Sequence, residues 1–146
     1  MIHITSKLPT VGTTIFSVMS KLAQEHNAIN LSQGFPNFPV DQRLISLFQE
    51  KCLANVHQYA PMTGLVELRE QIVQKINLHY KRELDTSNVL ITAGATQAIF
   101  ATIQALVHSG EEVIILDPSY DCYESPVILS GAKAIRIPLS DNFLPD

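Results

Sequence analysis

The chain has 146 residues, of which 46% are hydrophobic and 16% are charged, and its formal net charge is −4 at pH 7. This length suits one ordinary domain, and the composition is too apolar for a disordered chain. No cluster of lysines and arginines indicates a nucleic-acid surface, and no apolar segment is long and uninterrupted enough to predict a membrane span. The two cysteines and five histidines lack metal-ligand spacing, so we expect no metal site and a reducing, cytoplasmic setting.

Three amphipathic helices are predicted in the first eighty residues. Apolar residues recur at helical spacing over three segments, which are residues 13–26, 41–54 and 65–80. We expect Thr63 to cap the third helix. Ile29–Leu31 is short and strand-like. Residues 32–39 follow it as a loop, because two prolines and a glycine interrupt any regular element.

From residue 88 onward the pattern predicts alternating strands and helices. The predicted strands lack polar alternation and cover residues 89–92, 113–116 and 133–137. Such strands are typical of parallel sheets covered on both faces. The intervening helices are predicted over residues 95–107 and 122–129, with Gly110 as the C-terminal cap of the first. This order predicts an α/β fold with a parallel sheet. The first of these helices is apolar nearly all round, so we expect one side to pack on the sheet and the other to be covered by other parts of this chain or by a second molecule.

The join between the first of these strands and its helix is the strongest candidate site. A helix that begins just after the Gly94 turn presents unpaired N–H groups and the positive end of its dipole, which together favour a phosphate. Thr96 lies in the first turn and adds a hydroxyl donor. Joins of this kind are common and usually bind nothing. The indication becomes stronger because Tyr120 follows the next strand, where it could place a ring beside the phosphate.

Four motifs occur in the order in which class I and II aminotransferases carry them. They are Ser32-Gln-Gly34-Phe-Pro36, Gln58-Tyr59-Ala-Pro-Met-Thr-Gly64, Thr92-Ala-Gly94-Ala-Thr96 and Asp117-Pro-Ser-Tyr120-Asp-Cys-Tyr123. The chain therefore resembles these pyridoxal-phosphate enzymes of fold type I, above all the branch with methionine and kynurenine aminotransferases. The resemblance implies an N-terminal arm over residues 1–40. It also implies part of the cofactor-binding large domain, a parallel-type sheet with flanking helices, over residues 41–146.

The resemblance also implies roles for individual residues. The cofactor phosphate would be held at three consecutive positions, which are Gly94, Ala95 and Thr96. Tyr120 would stack on the pyridine ring, and Tyr59 would reach across a dimer interface to the phosphate of the partner's site. The N–H of Gly34 would face the substrate carboxylate. Asp117–Pro118 matches a position where many relatives have a cis peptide bond.

The implied reaction moves an amino group from an amino acid, with methionine or an aromatic residue as candidate donor, to a 2-oxo acid in a homo-oligomeric enzyme. It requires a lysine bound covalently to the cofactor. None of the six lysines has the sequence context of that residue, so we assign no catalytic residue here and expect these 146 residues alone to be inactive. Three alternatives stay open. They are a C–S lyase of the same fold, a non-catalytic anion- or nucleotide-binding α/β module, and a fragment that pairs with an intact relative.

Overall fold

The computed structural model describes residues 4–145. They belong to two compact units, which we call the sheet unit (Met1–Gln33 with Ala93–Asp146) and the helical unit (Gly34–Thr92). The regular elements in chain order are α1 (Ile15–Glu25), α2 (Gln42–Leu53), α3 (Val66–Tyr80), a 3-10 turn (Thr86–Asn88), α4 (Gly94–Leu106), β1 (Glu112–Asp117), α5 (Glu124–Leu129) and β2 (Lys133–Pro138). The division at residue 40 into an arm and a larger domain stays a prediction.

The two strands of the sheet unit confirm the predicted parallel pairing. Their register runs from Glu112 opposite Lys133 to Asp117 opposite Pro138. α5 connects them, and its Val127 is fully buried while Ile115 of β1 is only 6% exposed. Removal of these two side chains from water is the main apolar stabilisation of this unit.

The predicted helices α1 to α3 are confirmed, and side-chain caps explain where the first two begin. The hydroxyl of Thr14 accepts a hydrogen bond from the N–H of Ser17 at 3.3 Å. The carboxylate of Asp41 accepts from the N–H of Arg43 at 2.8 Å. Each oxygen satisfies one of the N–H groups that a helix leaves unpaired at its start.

Two predicted strands are wrong. Residues 89–92 are extended near Val89 (φ −120°, ψ 126°), but they pair with no strand in the part of the chain that the structure describes. The N–H of Ile91 instead donates to the carbonyl of Thr63 at 3.1 Å. Residues 29–31 also form no strand, and Leu31 is 89% exposed. An apolar run becomes a strand only where a neighbouring strand offers ladder partners, and that neighbour is not visible in local sequence.

Two predicted caps and one helix start are also wrong. Thr63 does not cap α3, because Leu65 occupies the cap position and the Thr63 hydroxyl accepts from Arg69 Nη1 at 2.8 Å. Gly110 does not cap α4, which ends at Leu106. With φ +87°, Gly110 forms the turn into β1 and donates its N–H to the carbonyl of Gly131 at 2.9 Å. α5 begins at residue 124 rather than 122, because residues 120–123 form a turn first.

The helical unit is organised around a close approach of two backbone segments. Gly64 has φ +96°, and a Cβ added there would lie 2.6 Å from Cβ of Ile91, so only glycine fits without displacement. The Arg69 guanidinium donates to the carbonyl of Thr86 through Nε at 3.1 Å and also through Nη2. These contacts hold the turn at residues 63–64 against the segment that leads into α4.

Within residues 4–145, none of the helices has both the length and the apolar character that a membrane crossing requires.

Candidate functional site

The start of α4 has the geometry of an anion seat. Gly94 adopts φ +82°, and the N-cap residue Ala93 provides no side-chain cap, while the side chain of Gln97 accepts a hydrogen bond from the N–H of Ala93. A Cβ added at Gly94 would meet none of the described atoms within 4 Å, so the space on that side of Gly94 is open. The N–H groups of a first helical turn have no acceptor within the helix, and the helix dipole adds positive potential there. The exposed residues Ala95 and Thr96 lie in this turn.

Thr96 lines a cavity of about 480 Å³, which we call the Thr96 cavity. Its wall combines the entry of α1, the first turns of α4 and the segment after β1, and it includes Thr13, Thr14, Phe100, Asp121, Cys122 and Arg136. All of these belong to the sheet unit. The structure therefore places hydroxyl donors from two parts of the chain beside the same space.

Two of the charged groups that line this cavity, Glu124 and Arg136, form an ion pair. Arg136 of β2 donates to both carboxylate oxygens of Glu124, at 2.6 Å and 3.2 Å, and its Nη1 lies 3.5 Å from Asp117 Oδ2. The hydrogen bonds from Arg136 lower the pKa of Glu124, and the same pairing raises the pKa of Arg136. The guanidinium is thus committed to carboxylates, which leaves the backbone N–H groups and hydroxyls as the donors for an anion.

The surroundings of Cys122 favour the protonated thiol over the thiolate. Burial raises its pKa, and the negative charge of Asp121 raises it further. Because the thiolate is the reactive form of cysteine, this environment makes Cys122 a poor nucleophile at neutral pH. The cavity therefore offers hydrogen bonds and shape, without a covalent anchor among its described residues.

Tyr120 lies on a neighbouring cavity rather than in the Thr96 cavity. Together with Pro118 and residues of β1 it lines a space of about 470 Å³. Its ring packs against Phe16 of α1, with centroids 6.1 Å apart, and meets Tyr123 edge-on at 5.8 Å. The ring is 43% exposed, so one part of it remains open after these two contacts. The Asp117–Pro118 bond that precedes it is cis, as the resemblance implies.

The segment of residues 117–123 therefore contributes to the walls of both cavities. Asp121 and Cys122 follow Tyr120 directly and face the Thr96 cavity. The role of Tyr120 as a ring-stacking residue stays a prediction. No sequence pattern predicted Phe16 as its neighbour or the Arg136–Glu124 pair, because each contact joins segments that no local pattern connects.

Tyr59 and Gly34 belong to the helical unit and are both open. The side chain of Tyr59 is fully exposed, and a Cβ added at Gly34 would meet none of the described atoms within 4 Å. Both surfaces are accessible to a ligand or to another chain, and their predicted roles stay predictions.

The position of Lys133 argues against a role as the covalent anchor. The resemblance places that lysine in a Ser-x-x-Lys motif, and this spacing does occur at Ser130–Lys133, contrary to the expectation that no lysine here has such a context. However, Lys133 begins β2 opposite Glu112, and its Nζ lies 3.2 Å from Glu112 Oε1. Tyr120 follows the other end of β1. Five residue steps along a strand amount to roughly 16 Å, so Lys133 and the predicted cofactor face are at opposite ends of the sheet.

The donor set at α4 fits a phosphate ester. Backbone N–H groups, a threonine hydroxyl and a helix dipole suit a dianion without needing a metal or a free cation. The open space before Gly94 gives such a group access. The residues present are therefore compatible with the phosphate of pyridoxal 5′-phosphate.

Comparison with known proteins agrees with this chemistry. The model of the family "aminotransferase class I and II" matches residues 26–146. Methionine aminotransferase of Escherichia coli strain K12 is 50% identical over 135 residues, which cover 92% of this chain and 35% of that protein. Human kynurenine–oxoglutarate transaminase 1 is 36% identical over 122 residues, which cover 82% of this chain and 29% of that protein.

A solved structure extends the agreement to the fold. The crystal structure of an Escherichia coli protein with a methionine aminotransferase function superposes with a TM-score of 0.93 at 47% identity, covering all of this chain and 39% of that one. The chain thus spans about a third of the length of the curated relatives it matches. It belongs to the class I and II aminotransferase family, whose enzymes are of fold type I and use pyridoxal 5′-phosphate.

Proposed function

We propose that this chain provides the phosphate seat and the ring-stacking face of a pyridoxal-phosphate-dependent aminotransferase. The observation that carries the proposal is the start of α4 at Gly94, where a Cβ built on Gly94 would meet none of the described atoms within 4 Å and Thr96 lies in the first turn. When bound, the cofactor supplies an electron sink that allows an amino group to leave one substrate and enter another. Membership of an enzyme family favours this reading over a non-catalytic anion-binding module.

In that reaction, the residues of this chain bind and orient the cofactor and the substrate. The N–H groups of Ala95 and Thr96, together with the Thr96 hydroxyl, hold the phosphate. The phosphate is remote from the reacting atoms, so its binding energy goes into orientation. Tyr120 covers one face of the heterocycle, and its contacts with Phe16 and Tyr123 fix the angle of its ring. Gly34 presents its backbone N–H to the substrate carboxylate.

The proposed assembly is a homodimer, in which the hydroxyl of Tyr59 contacts the phosphate in the partner's site. The full exposure of Tyr59 supports this role. The second side of α4 is also open, with Phe100 45% and Leu106 69% exposed, so of the two predicted covers, this chain or a second molecule, we favour the second molecule. Exposed apolar surface of this kind favours association.

The proposed substrates are an amino acid and a 2-oxo acid, with methionine or an aromatic amino acid as donor. The 50% identity to a methionine aminotransferase supports the first of these donors. We place the protein in the reducing cytoplasm, because Cys52 and Cys122 are free thiols. None of the lysines in this sequence is assigned as the covalent anchor, so we propose that these 146 residues do not complete the reaction alone.

The test compares pyridoxal 5′-phosphate with pyridoxal, which lacks the phosphate. Thr96→Ala should weaken binding of the phosphorylated form about ten- to a hundredfold, the range for the loss of one hydrogen bond to a charged group, and leave pyridoxal binding unchanged. Thr102→Ala is the matched control, because it removes an exposed threonine hydroxyl two turns further along α4. Absorbance titration gives all six dissociation constants. Equal affinity of the wild-type protein for both ligands would contradict the proposal.

A further inference from the structure

The loop that precedes Gly34 is tied to α1 by one hydroxyl group. Ser20 Oγ donates to Oε1 of Gln33 at 3.0 Å and accepts from Nδ2 of Asn30 at 3.2 Å. The Ser20 hydroxyl therefore donates to the last residue of the segment 30–33 and accepts from its first residue. A single atom of α1 thereby fixes the distance across that segment.

Asn30 stabilises the same segment from within. Its Oδ1 accepts from the N–H of Ser32 at 3.0 Å and from the Ser32 hydroxyl at 2.6 Å, which is a local turn stabilised by a side chain. Ser20, Asn30 and Gln33 are half-buried, whereas Leu31 is 89% exposed. Hydrogen bonds, rather than apolar packing, hold this loop in place.

We propose that Ser20 is a positioning residue that orients the N–H of Gly34 toward the substrate carboxylate, a role that rests on the proposed function. Gly34 follows Gln33 directly, so the direction of its N–H depends on the backbone of Gln33. Gly34 itself has no side chain, and a Cβ built there would find none of the described atoms within 4 Å. Its orientation therefore depends on how the preceding residues are anchored, and Ser20 anchors them at both ends.

Ser20 acts on substrate binding and not on the chemical step. The substrate carboxylate keeps its charge throughout the reaction, so its contact with Gly34 is equally strong in the ground state and the transition state. Loss of such an interaction raises KM and leaves kcat unchanged. Among the described residues, Ser20 Oγ hydrogen-bonds to Gln33 and Asn30 and not to the start of α4, so we expect cofactor affinity to be unaffected.

The experiment compares Ser20→Ala, Ser20→Thr and Ser17→Ala in a catalytically active enzyme that contains these 146 residues together with the covalent lysine, loaded with pyridoxal 5′-phosphate. Ser20→Ala should raise KM for L-methionine or L-phenylalanine about three- to tenfold, with kcat within about twofold. Ser20→Thr keeps the hydroxyl and should restore KM to within about twofold of the wild-type value. Ser17→Ala makes the same chemical change on α1, where the hydroxyl contacts only Thr14 among the described residues, and should leave KM unchanged.

A second readout does not depend on turnover. Hydrogen exchange over residues 31–34 should accelerate in Ser20→Ala and stay at the wild-type rate in Ser17→Ala. Unchanged KM and unchanged exchange in Ser20→Ala, with normal cofactor binding, would overturn the role of Ser20 alone. Failure of every variant and of the wild-type protein to bind pyridoxal 5′-phosphate would overturn the proposed function itself, and with it the substrate role of Gly34.

Discussion

The sheet unit and the helical unit are stabilised in different ways. In the sheet unit, Val127 is fully buried and Ile115 is 6% exposed beneath a parallel ladder of two strands. In the helical unit, all of whose residues are described, no apolar side chain is buried to that extent, and Gly64 is the residue that lies deepest. The sheet unit has a small apolar core, whereas the helical unit has the close backbone approach of Gly64 to Ile91 instead.

The helical unit compensates with side chains that bind backbone groups. Arg69 donates to the carbonyl of Thr86. Asn77 bonds both the N–H and the carbonyl of Leu84, at 2.9 Å each. Each such bond contributes about 1 kcal/mol net, against about 1.5–3 kcal/mol for a fully buried valine. The comparison indicates that geometry, more than buried area, determines the structure of the helical unit.

The largest expected effect is that of Gly64→Ala. The new Cβ would collide with Ile91 at a residue whose φ is +96°, so overpacking and backbone strain add to about 3 kcal/mol. Gly110→Ala is the control, because it has a similar φ of +87° but no described atom within 4 Å of the new Cβ, and should cost about 1 kcal/mol. Hydrogen exchange and urea unfolding measure the loss of stability in each of the two variants. Equal losses in the two variants would show that the contact with Ile91 is unimportant.

Val127→Ala should have the next largest effect. It removes two methyl groups from a fully buried site and leaves a cavity, at a cost of about 2 kcal/mol in the free energy of unfolding. Val11→Ala makes the same change at a side chain that is 51% exposed, and should cost less than about 0.5 kcal/mol. If the two variants unfolded at the same urea concentration, the buried core of the sheet unit would not be its main stabilisation.

The smallest expected effect concerns the Glu124–Arg136 pair. The hydrogen bonds from Arg136 lower the pKa of Glu124 in the folded chain. A carboxyl group with a lowered folded-state pKa stabilises the fold above its unfolded-state pKa, and this contribution disappears as the pH falls through the folded-state value. Glu124→Gln should therefore be less stable than the wild type at pH 7, and the difference should shrink between about pH 5 and pH 3. Urea unfolding at a series of pH values checks this, and a difference that stayed constant would contradict it.

Local patterns predicted those parts of the fold that depend on neighbours along the chain. Helical spacing gave α1 to α3, the unbroken apolar runs gave β1 and β2, and a glycine turn gave the start of α4. Residues 89–92 were predicted as a strand because their composition is β-type, but a strand also needs a partner, which lies elsewhere in the sequence. The hydroxyl of Thr63 was expected at a helix cap and instead binds Arg69, a competing donor one turn into α3.

The candidate site likewise divides into features that a local pattern predicts and contacts between distant segments that it does not. The start of α4 at Gly94, with Thr96 in its first turn, was predictable because a glycine turn before an apolar helix is a local pattern, whereas the binding of an anion there stays a prediction. The neighbours that fix the ring of Tyr120 were not, because Phe16 lies more than a hundred positions away along the chain. The hydrogen bonds of Ser20 likewise join a helix to a loop whose motif gives no sign of its anchor.

A crystal structure of the protein loaded with pyridoxal 5′-phosphate tests the central claim most directly. The account predicts phosphate oxygens within about 3 Å of the backbone nitrogens of Ala95 and Thr96 and of the Thr96 hydroxyl, with the Tyr120 ring against the heterocycle. A phosphate bound away from the start of α4, or a heterocycle that does not touch Tyr120, would contradict it.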